Sequence, residues 1–131
     1  MPMGGRFLLD TNIIIALLEG EGGVQDRLAE SDEVFLSVIA LGELYFGSGK
    51  SGRPETNLAR IDDLARDNVV LGCDTDTARR YGTVKNTLRL KGRPIPENDI
   101  WIAAVALQQS LTLITRDAHF NEVDGLTVEV W

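Results

Sequence analysis

The chain is poor in residues that staple or ligate on their own. It has one cysteine, Cys73, and one histidine, His119. A lone cysteine cannot close an intramolecular disulfide, and there is no Cys/His cluster to hold zinc. Cys73 is expected to be a small buried hydrophobe in a reducing compartment. His119, in "RDAHF", is expected to serve a turn or packing rather than acid–base chemistry. No run approaches the roughly 20 apolar residues that a spanning helix needs. The early apolar stretch "RFLLDTNIIIALL" is broken by Asp10, Thr11 and Asn12, with no small-residue cleavage site after it. A cytoplasmic protein without membrane attachment is therefore expected. Positive charge is scarce as well. The balance of 13 Lys and Arg against 20 Asp and Glu gives a net charge of −7, which argues against generic attraction to nucleic acid or anionic lipid. No repeat, low-complexity tract or linker divides the 131 residues, so one domain, 1–131, with a single sizeable core is expected.

Short strands and helices alternate along the chain. "RFLL", "EVFLS", "VVLG", "LTLIT" and "LTVEVW" read as strands, and the intervening segments carry helical apolar spacing. Leu58, Ile61, Leu64 and Ala65 mark one helix, and Ala78, Tyr81, Val84 and Leu88 another. After Asp99, "IWIAAVAL" is almost wholly apolar and predicts a buried helix. This order predicts an α/β fold with a mainly parallel sheet, in which ligands bind beyond the carboxyl ends of the strands. Tyr45, Phe46, Tyr81 and Trp101 sit among Leu, Ile and Ala at helical spacing, and core packing is expected for them over stacking on bases.

Four acids stand out against that frame. Asp10 separates the first strand from its helix, where a helix N-cap is the structural alternative. Glu43, in "VIALGELYFGSG", has Ile39, Phe46 and Gly47 as helical neighbours. A carboxylate on so apolar a face needs a cation, the alternative to a metal being an arginine. Asp99 lies in the first turn of its helix, where the dipole favours an acid, and Asn98 is expected to do the capping. Asp117 follows the fourth strand and could cap the turn after it. Two unit charges about 4 Å apart repel by roughly 4 kcal/mol at an effective dielectric near 20. Four converging carboxylates therefore call for a divalent ion, and oxygen ligands suit Mg²⁺ or Mn²⁺. Six basic residues crowd Arg79–Pro96 without an acid: Arg79, Arg80, Lys85, Arg89, Lys91 and Arg93. They form a candidate track for a polyanion, Lys85 and Arg89 sharing a helix face. The alternative is a solvated surface or pairing with acids.

With those residues placed, "LLDTNIIIALL", "SVIALGELYFG", "PIPENDIWIAAVAL", "LTLITRDAHF" and "GLTVEVW" together resemble the PIN-domain ribonucleases, and more narrowly the VapC-type toxins of toxin–antitoxin pairs. The resemblance implies a PIN-like three-layer α/β/α domain. It implies that Asp10, Glu43, Asp99 and Asp117 form the acidic quartet, with Asn12 and Thr115 as polar helpers. It further implies Mg²⁺- or Mn²⁺-dependent endonucleolytic cleavage of RNA, a homodimer, and inhibition by a small VapB-type antitoxin. A catalytically inactive PIN-like binding domain is the competing reading. An aspartate-nucleophile phosphatase is disfavoured because Asn12 stands where its second Asp would be. A receiver-type phospho-acceptor is disfavoured because Arg116, not Lys, follows "LTLIT".

Overall fold

The computed structural model describes residues 5–131. Strand β1 (Arg6–Leu9) passes through Asp10 into α1 (Thr11–Leu18), followed by α2 (Gly22–Glu30) and β2 (Glu33–Ser37). Next come α3 (Val38–Gly49), α4 (Pro54–Asp67) and β3 (Val69–Leu71). Helices α5 (Thr75–Lys91) and α6 (Glu97–Gln109) lead to β4 (Thr112–Ile114), a 3-10 turn (Ala118–Glu122) and β5 (Val128–Glu129).

The strands form one sheet in the order β3-β2-β1-β4-β5, and every neighbouring pair is parallel. The chain winds outward from β1 through β2 to β3, then crosses back to place β4 on the other side of β1. Between β1 and β4 the winding reverses, which is where an open parallel sheet forms a crevice beyond its carboxyl ends. Asp10 and Thr115 are the residues that leave those two strands.

Successive strand residues point to opposite faces, and the apolar runs use both. Leu8, Phe35 and Leu113 pack with Val84 and Leu88 of α5 and Ile102 and Val105 of α6. Leu9, Leu36 and Ile114 pack on the other side with Ile13 and Ile14 of α1, Leu41 and Leu44 of α3 and Ile61 of α4. The result is the three-layer α/β/α arrangement expected, with a sheet that is parallel throughout.

Several local expectations are corrected. Cys73 is exposed, because β3 stops at Leu71 and Cys73 falls in the loop that leads to the Asp74 cap of α5. Phe46 is 67% exposed. Tyr45 and Tyr81, by contrast, pack against the core as expected, and Tyr81 also stacks on Trp101 at 4.1 Å, between α5 and α6. Asn98 does not cap α6. The helix starts at Glu97 with Pro96 at the cap position, and the Asp99 and Ile100 amides bond to the Pro96 carbonyl. A proline fits there because its fixed φ suits a helix entry and its missing N–H is not needed.

Candidate active site

Asp10 is both cap and site residue. Its Oδ1 accepts the Thr11 amide at 2.8 Å, which caps α1. Its Oδ2 accepts the Thr115 hydroxyl at 2.7 Å and lies 3.4 Å from Asn12 Nδ2. The carboxyl is only 2% exposed. Burial is the main force raising its pKa to about 6, against the pull of the Thr115 and Thr11 hydrogen bonds, and the charges of Asp99 and Asp117 push the same way as burial.

Thr115 and Asn12 tie the neighbouring segments together. The Thr115 hydroxyl gives its proton to Asp10 and accepts the Asp117 amide at 3.0 Å. Asn12 Nδ2 reaches Asp117 Oδ2 at 3.2 Å, while its Oδ1 accepts the Arg116 amide at 3.3 Å. The first turn of α1 is thereby fastened to the segment leaving β4.

Glu43 enters from the second turn of α3 and accepts the Thr11 hydroxyl at 2.8 Å. Thr11 was not singled out by the sequence, although a hydroxyl beside two expected site residues is a signal that could have found it. Asp99, in the first turn of α6, lies 2.7 Å from His119 Nε2. Its pKa is raised, chiefly by burial. His119 opposes that shift, and the charges of Glu43 and Asp117 add to it. His119 lies in the turn expected for it, its ring tilted against Phe120 at 4.8 Å, and its nitrogen also faces the acids, a contact the sequence did not show.

All four acids, together with Thr11, Asn12 and His119, line one open cleft of about 590 Å³. Among the described residues, the acids that approach closely enough to share an ion with a third group are Asp99 and Asp117. One ligand atom from each, with one from His119, lie within 4.8 Å of one another. Asp10 and Glu43 line the same cleft but are not part of that close trio. Among the described residues no Lys or Arg forms an ion pair with any of the four; the one cationic candidate at hand is His119. Arg116, although next to Asp117, turns away to grip both oxygens of Glu21 at 2.9 and 3.2 Å. The arginine alternative for Glu43 is thus absent, and the donor set of oxygens with one imidazole fits a hard or borderline divalent ion.

The basic strip does not form one track. Lys85 bonds to the Tyr81 hydroxyl at 3.1 Å and, at 3.0 Å, to Glu97, which lines the acid cleft. Arg80 pairs with Asp76 and faces a separate groove bounded by Glu122 and Asp124, where Lys91 is also held. Among the described residues the Arg89 side chain bonds only to Asn86, and Arg79 and Arg93 are exposed. Helical geometry distributes a run of cations around α5.

Comparison with known proteins points to one family. Residues 7–126 match the family model of the PIN domain. Ribonuclease VapC2 of Haemophilus influenzae is 33% identical over 129 residues, covering 96% of this chain and 98% of that protein. The tRNA(fMet)-specific endonuclease VapC of Shigella flexneri is 33% identical with the same coverage of both chains. A chain in the crystal structure of DNA-bound VapBC from Salmonella typhimurium superposes with a TM-score of 0.89 at 31% identity, covering 96% of this chain and 98% of that one. The acid-lined crevice at the switch of a parallel sheet therefore sits in a chain that belongs to the PIN-domain family and, within it, to the VapC ribonucleases.

Proposed function

We propose that this chain is the toxin of a toxin–antitoxin pair and acts as an endoribonuclease that hydrolyses RNA phosphodiester bonds with Mg²⁺ or Mn²⁺. Asp10, Glu43, Asp99 and Asp117 would hold the ion, with Asn12 and Thr115 in support. One observation carries the reading: four carboxylates face a single cleft and none has a Lys or Arg partner among the described residues. Acids so placed raise one another's pKa and cost stability unless a cation is supplied.

When bound, the ion lowers the pKa of a water and stabilises charge on phosphate oxygens. The chain's own residues fix the geometry. Asp10 is immobilised at the strand end by Thr11 and Thr115. Asn12 holds the Asp117 segment against α1. Asp10 has both oxygens engaged in hydrogen bonds, which suits a held ligand better than an attacking nucleophile. Lys85 and Arg89 would meet the RNA backbone near the cleft, with Arg79 and Arg80 further round α5.

A VapB-type antitoxin fits the same surface. A groove of about 430 Å³ between α1, α3 and α4 is lined by Ile15, Leu18, Leu44 and Ile61, and it shares Thr11, Ile15 and Glu43 with the acid cleft. An apolar peptide lying in it could deliver a basic side chain to the acids, blocking RNA and neutralising charge at once. The reading also includes a homodimer acting in the cytoplasm; among the described residues no helix is long and apolar enough to cross a membrane.

The test is cleavage of a mixed RNA pool with Mg²⁺ or Mn²⁺, repeated with chelator and with Asp10→Asn and Asp99→Asn. Metal-dependent cutting lost in both variants is expected; cutting that survives them removes the acids from the mechanism. Binding of RNA without cutting favours a catalytically inactive domain. Neutralising Lys85 and Arg89 should shallow the slope of log affinity against log salt by roughly 1.4 for single-stranded RNA.

A further inference from the structure

We propose that His119 is a nitrogen ligand to the ion of this site, and that it gives the site a preference for Mn²⁺ over Mg²⁺. The inference rests on the metal-site reading above and adds a donor that an all-carboxylate account omits.

Three observations lead to it. The first is geometric. In an octahedral shell with ligands about 2.1 Å from the ion, adjacent ligand atoms lie about 3.0 Å apart and opposite ones about 4.2 Å apart. The Asp99, Asp117 and His119 atoms fall within 4.8 Å of one another, so small side-chain adjustments bring all three onto one ion. The contact of His119 Nε2 with Asp99 Oδ2, at 2.7 Å, is a hydrogen bond; for both atoms to face the same cation it must lengthen by a few tenths of an ångström and give up the proton between them, the imidazole then carrying its hydrogen on Nδ1.

The second is the division of work among the oxygens. Asp10 spends Oδ1 on the Thr11 amide and Oδ2 on Thr115, and Glu43 spends Oε1 on the Thr11 hydroxyl. The Asp99 carboxylate has no hydrogen-bond partner but His119 among the described residues, and the Asp117 carboxylate has none but Asn12. Asp10 is thus the acid with both oxygens engaged, while Glu43, Asp99 and Asp117 each keep one oxygen free among the described residues, and of these three the imidazole meets Asp99 and Asp117.

The third is that His119 has no competing task. Asp99 is its one hydrogen-bond partner among the described residues, and its side chain is 33% exposed towards the cleft it lines. Contact with the fully buried Phe120 fixes the ring at the cleft wall. Imidazole nitrogen binds later first-row ions better than it binds Mg²⁺, which takes oxygen ligands and keeps its waters. A site with one nitrogen among its oxygens therefore discriminates between the two ions.

The test uses the purified chain loaded with Mn²⁺ and pulsed electron paramagnetic resonance, which detects a coordinated ¹⁴N directly. Nitrogen modulation is expected in the parent and absent in His119→Gln, a variant that keeps a donor for Asp99 but has no imidazole. By titration, His119→Gln should lose roughly tenfold or more in Mn²⁺ affinity, with Mg²⁺ affinity, read by competition, changed far less. If Mn²⁺ binds at a site that Asp99→Asn abolishes but shows no nitrogen coupling, His119 only orients Asp99 and the proposal is overturned while the metal site stands. Equal weakening of both ions overturns it in the same way. If Asp99→Asn leaves Mn²⁺ binding intact, the metal-site reading fails and takes this one with it. A far-ultraviolet circular dichroism melt of each variant controls for folding.

Discussion

The two halves of the cleft are built on opposite terms. The inner half, where β1 and β4 end, is a closed knot in which Asp10, Thr115 and Asn12 satisfy one another and Asp10 is 2% exposed. The outer half, where α6 meets the turn after β4, has Asp99, Asp117 and His119 held by few bonds, Asp117 exposed and the other two half-buried. The inner half joins structure to site, and a change there should disturb both. The outer half carries little of the fold, so a change there should disturb chemistry alone.

Asp99→Asn gives the largest expected effect and tests that separation most directly. If Asp99 and Asp117 hold the ion as proposed, removing one of their charges should lower RNA cleavage about 10³-fold or more, since such sites supply several kcal/mol of charge stabilisation. The metal-free protein should melt no lower than the parent, because burial and the neighbouring acids already disfavour the Asp99 charge. A large fall in melting temperature would show that the outer half is structural after all.

Asp10 sharpens the contrast through pH. Its pKa rises from 3.8 to about 6 on folding, so between those values the folded protein binds more protons than the unfolded chain. Stability then falls as pH rises. Asp10 contributes no penalty below about pH 4; the penalty grows through pH 6 and levels off above it. A shift of that size corresponds to about 3 kcal/mol. Asp10→Asn retains a capable helix cap and removes the charge. In chelator, the variant should gain on the parent across that window, in urea melts at pH 4 and pH 7.5. A difference independent of pH would mean that Asp10 is not titrating there.

Much of this contrast was legible in the sequence, and unevenly so. The acids Asp10 and Asp117 were found because strand ends are marked by apolar runs such as "RFLL" and "LTLIT", and the reversal of winding puts those ends side by side. The layers followed from the same runs, since adjacent residues such as Leu8 and Leu9 serve opposite faces. The turn at His119 was legible, but its contact with Asp99 was hidden because a 3-10 turn has no period from which to infer direction. Thr11 was hidden because its partner, Glu43, is 32 residues away. The strip from Arg79 to Arg93 looked continuous because a sequence does not display the helix axis around which α5 parts its cations. Asn98 misled as a cap because side-chain propensity was weighed and the fixed backbone of Pro96 was not.

Thr115→Val is the next test, directed at the knot itself. Thr115 is 1% exposed and its hydroxyl serves Asp10 and the Asp117 amide together. Valine keeps the shape and removes a hydrogen bond to a charged group, at a cost of about 1.5–3 kcal/mol. Asp10, without its strongest hydrogen bond, should also titrate higher than in the parent. Denaturant melts should register the loss. A loss of cleavage with no loss of stability would make Thr115 a part of the reaction and not of the scaffold.

The smallest effect is expected at Ser110, which lies in neither half of the cleft and so measures how far stability and cleavage can be moved apart. Ser110 ends α6 in the left-handed region, at φ 54, and is exposed. A side chain there meets its own backbone, while glycine does not, although glycine gains more freedom in the unfolded chain. The balance for Ser110→Gly is a gain of about 0.5–1 kcal/mol, which for a chain of this size raises Tm by about 2–4 °C. RNA cleavage and Mn²⁺ affinity should stay at the parent's values, because α6 presents Asp99 at its opposite end. If cleavage falls as Ser110→Gly stabilises the helix, the cleft depends on movement of α6, and its outer half is coupled to the fold more tightly than its few hydrogen bonds indicate.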